Sequence, residues 1–592
     1  MESSRHGRAR RTSRLGLALL CALLAACDSA PRIPEEFIRS VPPGPKLMAG
    51  DHAGPPVTTG DSGPARFVAP LHARFDPARA FEDVRFIDGF YRAPANDGYE
   101  TVLAHLEARL RAGGFGSTPG FELELLESEL QARGWMEDGH VAAQAWTPLG
   151  ARLSLVGAVG ADGTVGADGA EHVLHSFDDA ASVDRVMLPV HAPSCDVVGP
   201  VALGLEGLDP GEILVTSSAP VASVLKRAHE LGALAVVSSY LASYNSDPRG
   251  ERRELGAIQF STVPFGTPIP VARISPAAFL AIQSACSTAP GTRLAFRADV
   301  RFDSRKLRTL VARVTGSDRP NEAVVVASHV QEPGACDNAS GVAGLVESAL
   351  ALAAAIEAGE LPRPSRTLVF LWGDEFRQTT AWLDHTTLVP VAGLSSDMTG
   401  ESHERTGAIA LLERMPDPAA ICALPPDEHT PWGARAVEPA TLAPNGVAIV
   451  ARCALFDVAA IDGGWQTAEH PYEGGSDHDI LIARGIPAAL FWHFTDFAYH
   501  TSLDRLEHVD SAEMRRTACA ILATALALAD PRPADLQRYL DTLNEELLVR
   551  TRAAAKVEDE ALASGWRDWF VGARHWFRTE CLRLPPPTSS NP

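Results

Sequence analysis

From Leu307 onward, short apolar runs recur between segments of helical pattern: Leu307 to Val314, Ala323 to Ser328, Thr367 to Trp372, Val391 to Ser396 and Pro487 to Trp492. Runs this short and this largely apolar leave little side for solvent, so they read as strands buried on both faces. Strands of that kind separated by helices make an α/β fold, a mostly parallel sheet with helices on both faces. The best-supported helix spans Ala339 to Ala358, dense in Ala, Leu and Val. In open α/β sheets ligands bind beyond the carboxyl ends of the strands, so polar residues directly after the runs are where chemistry is expected.

Five such residues stand out. His329 follows Val324-Val325-Val326-Ala327-Ser328, and Asp337 sits in Gly334-Ala335-Cys336-Asp337-Asn338-Ala339-Ser340-Gly341, just before a helix. Glu375 follows Val369-Phe370-Leu371-Trp372-Gly373-Asp374, Asp397 follows Gly393-Leu394-Ser395-Ser396, and His500 lies in Tyr499-His500-Thr501 beyond the last run. Two imidazoles and three carboxylates can hold two zinc ions, one carboxylate bridging and each metal keeping a position open for water or substrate. Cobalt or manganese could substitute on the same donors. Singly, each residue could be a helix cap or a loop residue, Asp337 above all; their joint placement after buried strands favours a metal centre.

The order of these segments resembles metallopeptidase family 28, the di-zinc aminopeptidases. That family's pattern is a His after a strand, a Gly-Ala-x-Asp-Asn-x-Ser-Gly turn, an acidic pair, an Asp-Met-x-Gly turn and a late Tyr-His-Thr. The chain supplies His329, Gly334 through Gly341, Asp374-Glu375, Asp397-Met398-Thr399-Gly400 and Tyr499-His500-Thr501 in that order, with Gly474-Gly475-Ser476-Asp477-His478 before the last strand. The resemblance implies a zinc-exopeptidase-like fold over about residues 70–530 and a peptide substrate with a free N-terminus. It makes Asp337 the bridging ligand, joins His329 and Asp397 at one metal and Glu375 and His500 at the other, and assigns Asp374 as general base and Tyr499 as donor to the oxyanion.

Two departures matter. Asp374 stands where the family usually has Glu, one methylene longer, and Gln331 stands where an Asp commonly orients the metal-binding imidazole. A Gln331 amide oxygen can still accept the His329 N–H but carries no charge, which should make His329 a slightly weaker ligand. The short Asp374 keeps open a second reading, a receptor-like protein that retained the fold and lost turnover; a carboxypeptidase or glutaminyl cyclase on the same fold is a third. Cys336 reads as a small side chain packed under the turn, His478 as a neighbour of the site and not a ligand, and His493 has no motif around it.

The flanks set the context. Arg5, Arg8, Arg10, Arg11 and Arg14 precede an apolar run from Leu15 to Ala26, the layout of a secretory signal. Leu24-Ala25-Ala26-Cys27 resembles a bacterial lipobox, so residues 1–27 are expected to direct export and leave a lipid anchor on Cys27, the protein's one tie to a membrane. Residues 28–64, rich in Pro, Gly and Ser, read as a tether. The expected division continues with an N-terminal part of the peptidase domain (65–182), a small α/β insert resembling a protease-associated domain (183–300), the catalytic domain (301–533) and a helical extension (534–592). Within the insert, Glu212 to Val215 and Leu234 to Ser238 read as strands around a helix from Val221 to Leu231. A formal net charge of −22 repels phosphate backbones and makes nucleic acid an unsuitable partner. Beyond the export segment, seven scattered cysteines form no CxxC pair, so neither a disulfide framework nor a thiolate zinc site is expected.

Overall fold

The structure, a computed structural model, describes residues 52–53, 61–136, 139–159, 165–179, 182–245, 252–289 and 291–583. The expected signal, the lipobox with Cys27 and nearly all of the tether lie outside the described residues. Eight strands form the larger sheet in the order Phe121–Ser128, Leu307–Val314, Arg366–Gly373, Arg319–His329, Val389–Ser396, Ala488–Phe494, Ile409–Glu413 and Thr467–His470. Its centre is parallel: Arg319–His329 runs between Arg366–Gly373 and Val389–Ser396, and Ala488–Phe494 adds on the far side. Antiparallel pairing appears toward the edges, at Leu307–Val314 and at Ile409–Glu413.

The central strands are apolar over their inner stretches, Ala323 to Ala327 and Leu368 to Trp372, because both faces are covered there. Every residue of Arg366–Gly373 is buried, as is Ala323 to His329 of its neighbour. On one face the helix Ala339–Glu357 packs against Pro77–Asp88 and Ser511–Ala529, so it is apolar nearly all round and buries fifteen of its nineteen residues. That helix is long and apolar enough to cross a membrane, but 83% of its most apolar stretch is buried inside the protein, which makes it a core helix. Its neighbours are capped where the sequence provides a short acid: Asp76 accepts from Ala78 and Arg79 N–H, and Asp510 accepts from Ala512 and Glu513 N–H.

A second sheet of seven strands runs Val165–Phe177, Ala145–Val159, Arg293–Asp303, Cys195–Leu203, Ile213–Thr216, Ala235–Ser238 and Val271–Arg273. Its parallel half carries the helix Ala222–Glu230 and has its own apolar core around Leu214, Leu225, Val236 and Val271. The sheet reaches back to Ala145, so a boundary between residues 182 and 183 cuts through it. The two early strands are hard to see in sequence because their pairing shifts register after Leu153 and again after Val156, which blurs the alternation.

The C-terminal region folds as the helices Leu536–Lys556 and Glu560–Trp576, with Tyr539 and Leu543 fully buried as the apolar stripe requires. They are tied to the sheet edge by buried ion pairs. Glu469, on the edge strand, meets Arg452 at 2.5 Å, and Arg452 meets Glu546 of the C-terminal helix at 2.9 Å. Arg550 of the same helix reaches Asp427 at 2.8 Å, and Asp427 also receives Arg414 at 2.8 Å. Burial alone would raise the Glu469 carboxyl, but Arg452, His52 and Arg414 hold it well below the ordinary carboxylate range. Its contribution is therefore present at neutral pH and is lost as the pH falls through the depressed value. Glu469→Gln removes one of the two carboxylates paired with buried Arg452, leaving Glu546, and should cost about 3 kcal/mol, the low end for a broken buried pair; a denaturant midpoint equal to that of the parent would show the network contributes nothing.

Candidate metal centre

The centre is assembled at the carboxyl ends of four neighbouring strands. His329 ends Arg319–His329, Asp374 and Glu375 follow Arg366–Gly373, Asp397 follows Val389–Ser396, and His500 lies in the turn after Ala488–Phe494. Asp337 is brought to the same place by the turn that starts the helix Ala339–Glu357. All five expected ligands come together there.

Asp337 is the hub. Its Oδ1 lies 3.2 Å from His329 Nε2 and its Oδ2 lies 2.9 Å from His500 Nε2, so one carboxylate spans two imidazoles. Around the other edge of the His329 ring, Glu375 Oε1 and Asp397 Oδ2 each lie 3.8 Å from Nδ1. Beside His500 stands a residue that the sequence reading passed over: Glu332 Oε2 is 3.0 Å from His500 Nε2 and 3.9 Å from His329 Nε2. Glu332 has φ 90°, a left-handed conformation that a side chain rarely adopts, and its N–H is bonded to Arg92 O. Arg92, itself buried, also donates to Val330 O and Gly334 O and so straps the whole loop.

The turn holding Asp337 is fixed from three sides. Asp504 accepts the Cys336 and Asp337 N–H groups at 2.7 and 2.9 Å. Asn338 Nδ2 lies within 3.3 Å of Ser328 Oγ, His329 O and Ser396 O, and its Oδ1 accepts the Met398 N–H, which joins two neighbouring strand ends at one amide. Glycine is needed for this packing: a Cβ on Gly334 would overlap the Asp504 carboxylate, and one on Gly341 would overlap Asn338 Oδ1. The Tyr499–His500 turn is held by the second sheet's region. Gln259 Nε2 donates to His500 O at 2.8 Å, Phe260 N–H donates to the same oxygen at 2.7 Å, and Asn245 Nδ2 donates to Tyr499 O at 2.5 Å.

The charges match a cation site. Burial alone would lower His329, but Asp397, Asp337 and Glu332 outweigh it and push the imidazole up to about 10. Burial raises Asp397, to about 6, against the pull of His329. Among the described residues, Asp397 Oδ1 is buried with no hydrogen-bond partner, and the donor set as a whole is nitrogen and oxygen suited to zinc. Two groups of possible ligands share His329: one with Glu332 and Asp337, the other with Glu375 and Asp397.

Other expectations resolve differently. Gln331 does not orient His329 through its amide oxygen; that oxygen accepts the Glu375 N–H at 2.7 Å, because the chain after Gly373 passes beside it. Glu375, expected on the His500 side, stands by His329 with Asp397, and Glu332 occupies the place beside His500. Asp374 is buried and its Oδ2 pairs with Arg377 at 3.1 Å. The Tyr499 ring stacks on His500 with centroids 3.9 Å apart. Asp477 binds Gln378, Thr379 and Phe376 and so anchors the helix Arg377–His385, while His478 reaches Glu413 at 2.9 Å and His493 reaches Met398 O and Glu513.

Gly334→Ala should displace Asp337 and Asp504 together and weaken metal retention by about 10–100-fold, the scale seen when a ligand's supporting partner is lost. A competitive chelator titration reads this directly; parent-like affinity would show that the turn has slack.

Residues 309–375 match the family model for peptidase family M28. Among solved structures, a peptidase M28 precursor from Shewanella amazonensis is similar at TM-score 0.50 and 14% identity, with 79% of this chain and 97% of that one covered. A zinc aminopeptidase from Bacillus subtilis is similar at TM-score 0.49 and 14% identity, covering 77% and 96%. An aminopeptidase from Aneurinibacillus sp. strain AM-1 gives 0.45 and 15%, covering 78% and 96%. The Shewanella likeness establishes a shared fold. No curated protein is matched significantly by sequence.

Proposed function

We propose that this chain, a peptidase family M28 protein by its residues 309–375, is an exported zinc aminopeptidase that holds two metal ions and cleaves the first peptide bond of a substrate with a free N-terminus. The observation that carries this reading is Asp337, whose two oxygens each face a different imidazole at 3.2 and 2.9 Å. On this reading His329 and Asp397, with Glu375 close by, serve one ion, His500 and Glu332 serve the other, and Asp337 serves both. Zinc bound there would polarise the scissile carbonyl and acidify the attacking water.

The chain's own groups have distinct tasks. Asp374 takes the proton from the attacking water and returns it to the leaving amine, while Arg377 on its Oδ2 keeps the carboxylate oriented. Burial first, then Asp337, Tyr244 and Glu332, pushes the Tyr499 phenol well above its usual value, so it stays protonated as a donor to the carbonyl oxygen. The surrounding carboxylates offer partners for the substrate's α-ammonium. Cobalt or manganese could replace zinc on these donors. The basic and apolar start of the chain, ending in a lipobox-like Cys27, supports export and a lipid anchor; the helix, flanking strands and separate core at 195–273 support a protease-associated insert.

The pairing of Asp374 with Arg377 favours one second reading, a metal-holding relative without turnover. Metal content and aminoacyl p-nitroanilide hydrolysis, with and without chelator, separate the two. About two zinc at the His329 and His500 cluster, with chelator-sensitive release, is the expected result; zinc without release across a broad amino-acid panel would make the protein a receptor-like relative. Asp374→Asn should abolish turnover with metal content nearly unchanged, and full activity would remove Asp374 from the reaction. Glu332→Gln, by contrast, should lose about one ion per chain, because it takes a carboxylate from the His500 side; undiminished affinity for both ions would return that place to Glu375.

A further inference from the structure

Directly beneath the Asp337 turn lies a second set of donors that the reaction does not use. Cys336 Sγ and carboxylate oxygens of Glu401 and Asp496 lie within 4.8 Å of one another. All three residues are wholly buried, at 0% exposure. Among the described residues, neither oxygen of Glu401 has a hydrogen-bond partner and Asp496 Oδ2 has none, although Asp496 Oδ1 accepts the Ala498 N–H. Asp504 flanks the group but spends both oxygens on the Cys336 and Asp337 N–H groups. The charges acting most strongly on Glu401 are all carboxylates: Asp496, Asp504, Asp337 and Asp397.

Buried carboxylates without donors or counter-charge are costly, and proteins resolve that cost with a partner cation, a bound metal or a proton. Three things favour a metal here. The orphan oxygens converge from separate segments, a thiol joins them, and the segments concerned are those that shape the centre above. Cys336 adjoins Asp337, Glu401 lies four residues after Asp397, and Asp496 lies four residues before His500.

We infer that Cys336, Glu401 and Asp496 form a structural site for a further divalent cation, which ties together the three loops that carry Asp337, Asp397 and His500. The mixed sulfur and oxygen donors select zinc over calcium or magnesium, since hard cations take oxygen alone and thiolate suits zinc. Binding would release the thiol proton to solvent as the sulfur–metal bond forms. Cys336 is packed in the apolar core as the sequence reading expects, and this inference adds a ligand role to that packing. This site stands independently of the aminopeptidase reading, because it shares no donor with the His329 and His500 cluster.

Cobalt provides the test, because that cluster contains no sulfur and a thiolate-to-cobalt charge-transfer band in the near ultraviolet therefore reports Cys336 alone once other cysteines are controlled for. The full chain is stripped with chelator, reloaded with cobalt, and compared with Cys336→Ser and Glu401→Gln. The parent should show the band and bind about one cobalt more than either variant, and Cys336→Ser, which is nearly isosteric, should lose the band while staying folded by circular dichroism. A parent without the band overturns the proposal. So does a band that survives in Cys336→Ser, or an equal cobalt count in parent and both variants. Loss of cobalt from the Asp337→Ala variant with the band retained would place any failure in the aminopeptidase centre and not in this site.

Discussion

Everything at the head of the sheet is organised around the Asp337 carboxylate, which stands between two imidazoles 3.2 and 2.9 Å away. A single charge can hold that position only if the backbone beneath it is rigid. Two N–H groups of the turn are spent on Asp504 and the Asn338 side chain is spent on the neighbouring strand ends, so the turn has little freedom to let the carboxylate swing. The sheet supplies the rest. Parallel strands end together on one edge, so residues more than a hundred positions apart in sequence arrive within a few ångströms.

That logic explains what was legible. Buried parallel strands are largely apolar and announce themselves, so Arg319–His329, Arg366–Gly373, Val389–Ser396 and Ala488–Phe494 were readable within a few residues, and the polar residues after them followed. Glu332 was not readable, because a lone acid in a Gln-Glu-Pro-Gly loop carries no periodicity, and only the left-handed backbone at that position turns it toward His500. The pairing of Glu375 with His329 was equally hidden, since it depends on Gln331 gripping the Glu375 backbone. Ile409–Glu413 and Thr467–His470 are four or five residues long and carry Glu413, Glu469 and His470 inward, so their apolar signal is broken by the residues that build the buried ion pairs.

The strands of the second sheet's parallel half were legible in the sequence and its two early strands were not, for the same reason. Its parallel half has compact apolar strands, whereas Ala145–Val159 and Val165–Phe177 form a long, irregular ribbon. Its role at the metal centre could not be read at all. Gln259, Phe260 and Asn245 act through backbone oxygens of Tyr499 and His500, and such contacts leave no trace in residue type.

Those contacts link the two sheets in time as well as in space. The second sheet's residues are synthesised early, and a domain made early on the ribosome can fold early. The loop that Gln259 and Asn245 grip emerges only with Phe497 to Ser502, near the end of the larger sheet's last long strand. Gln259 and Asn245 are therefore present in the nascent chain for about 250 residues before their target exists. Throughout that interval the two side-chain amides and the Phe260 N–H that make the clamp lack these acceptors, and the histidine they will orient has yet to be made.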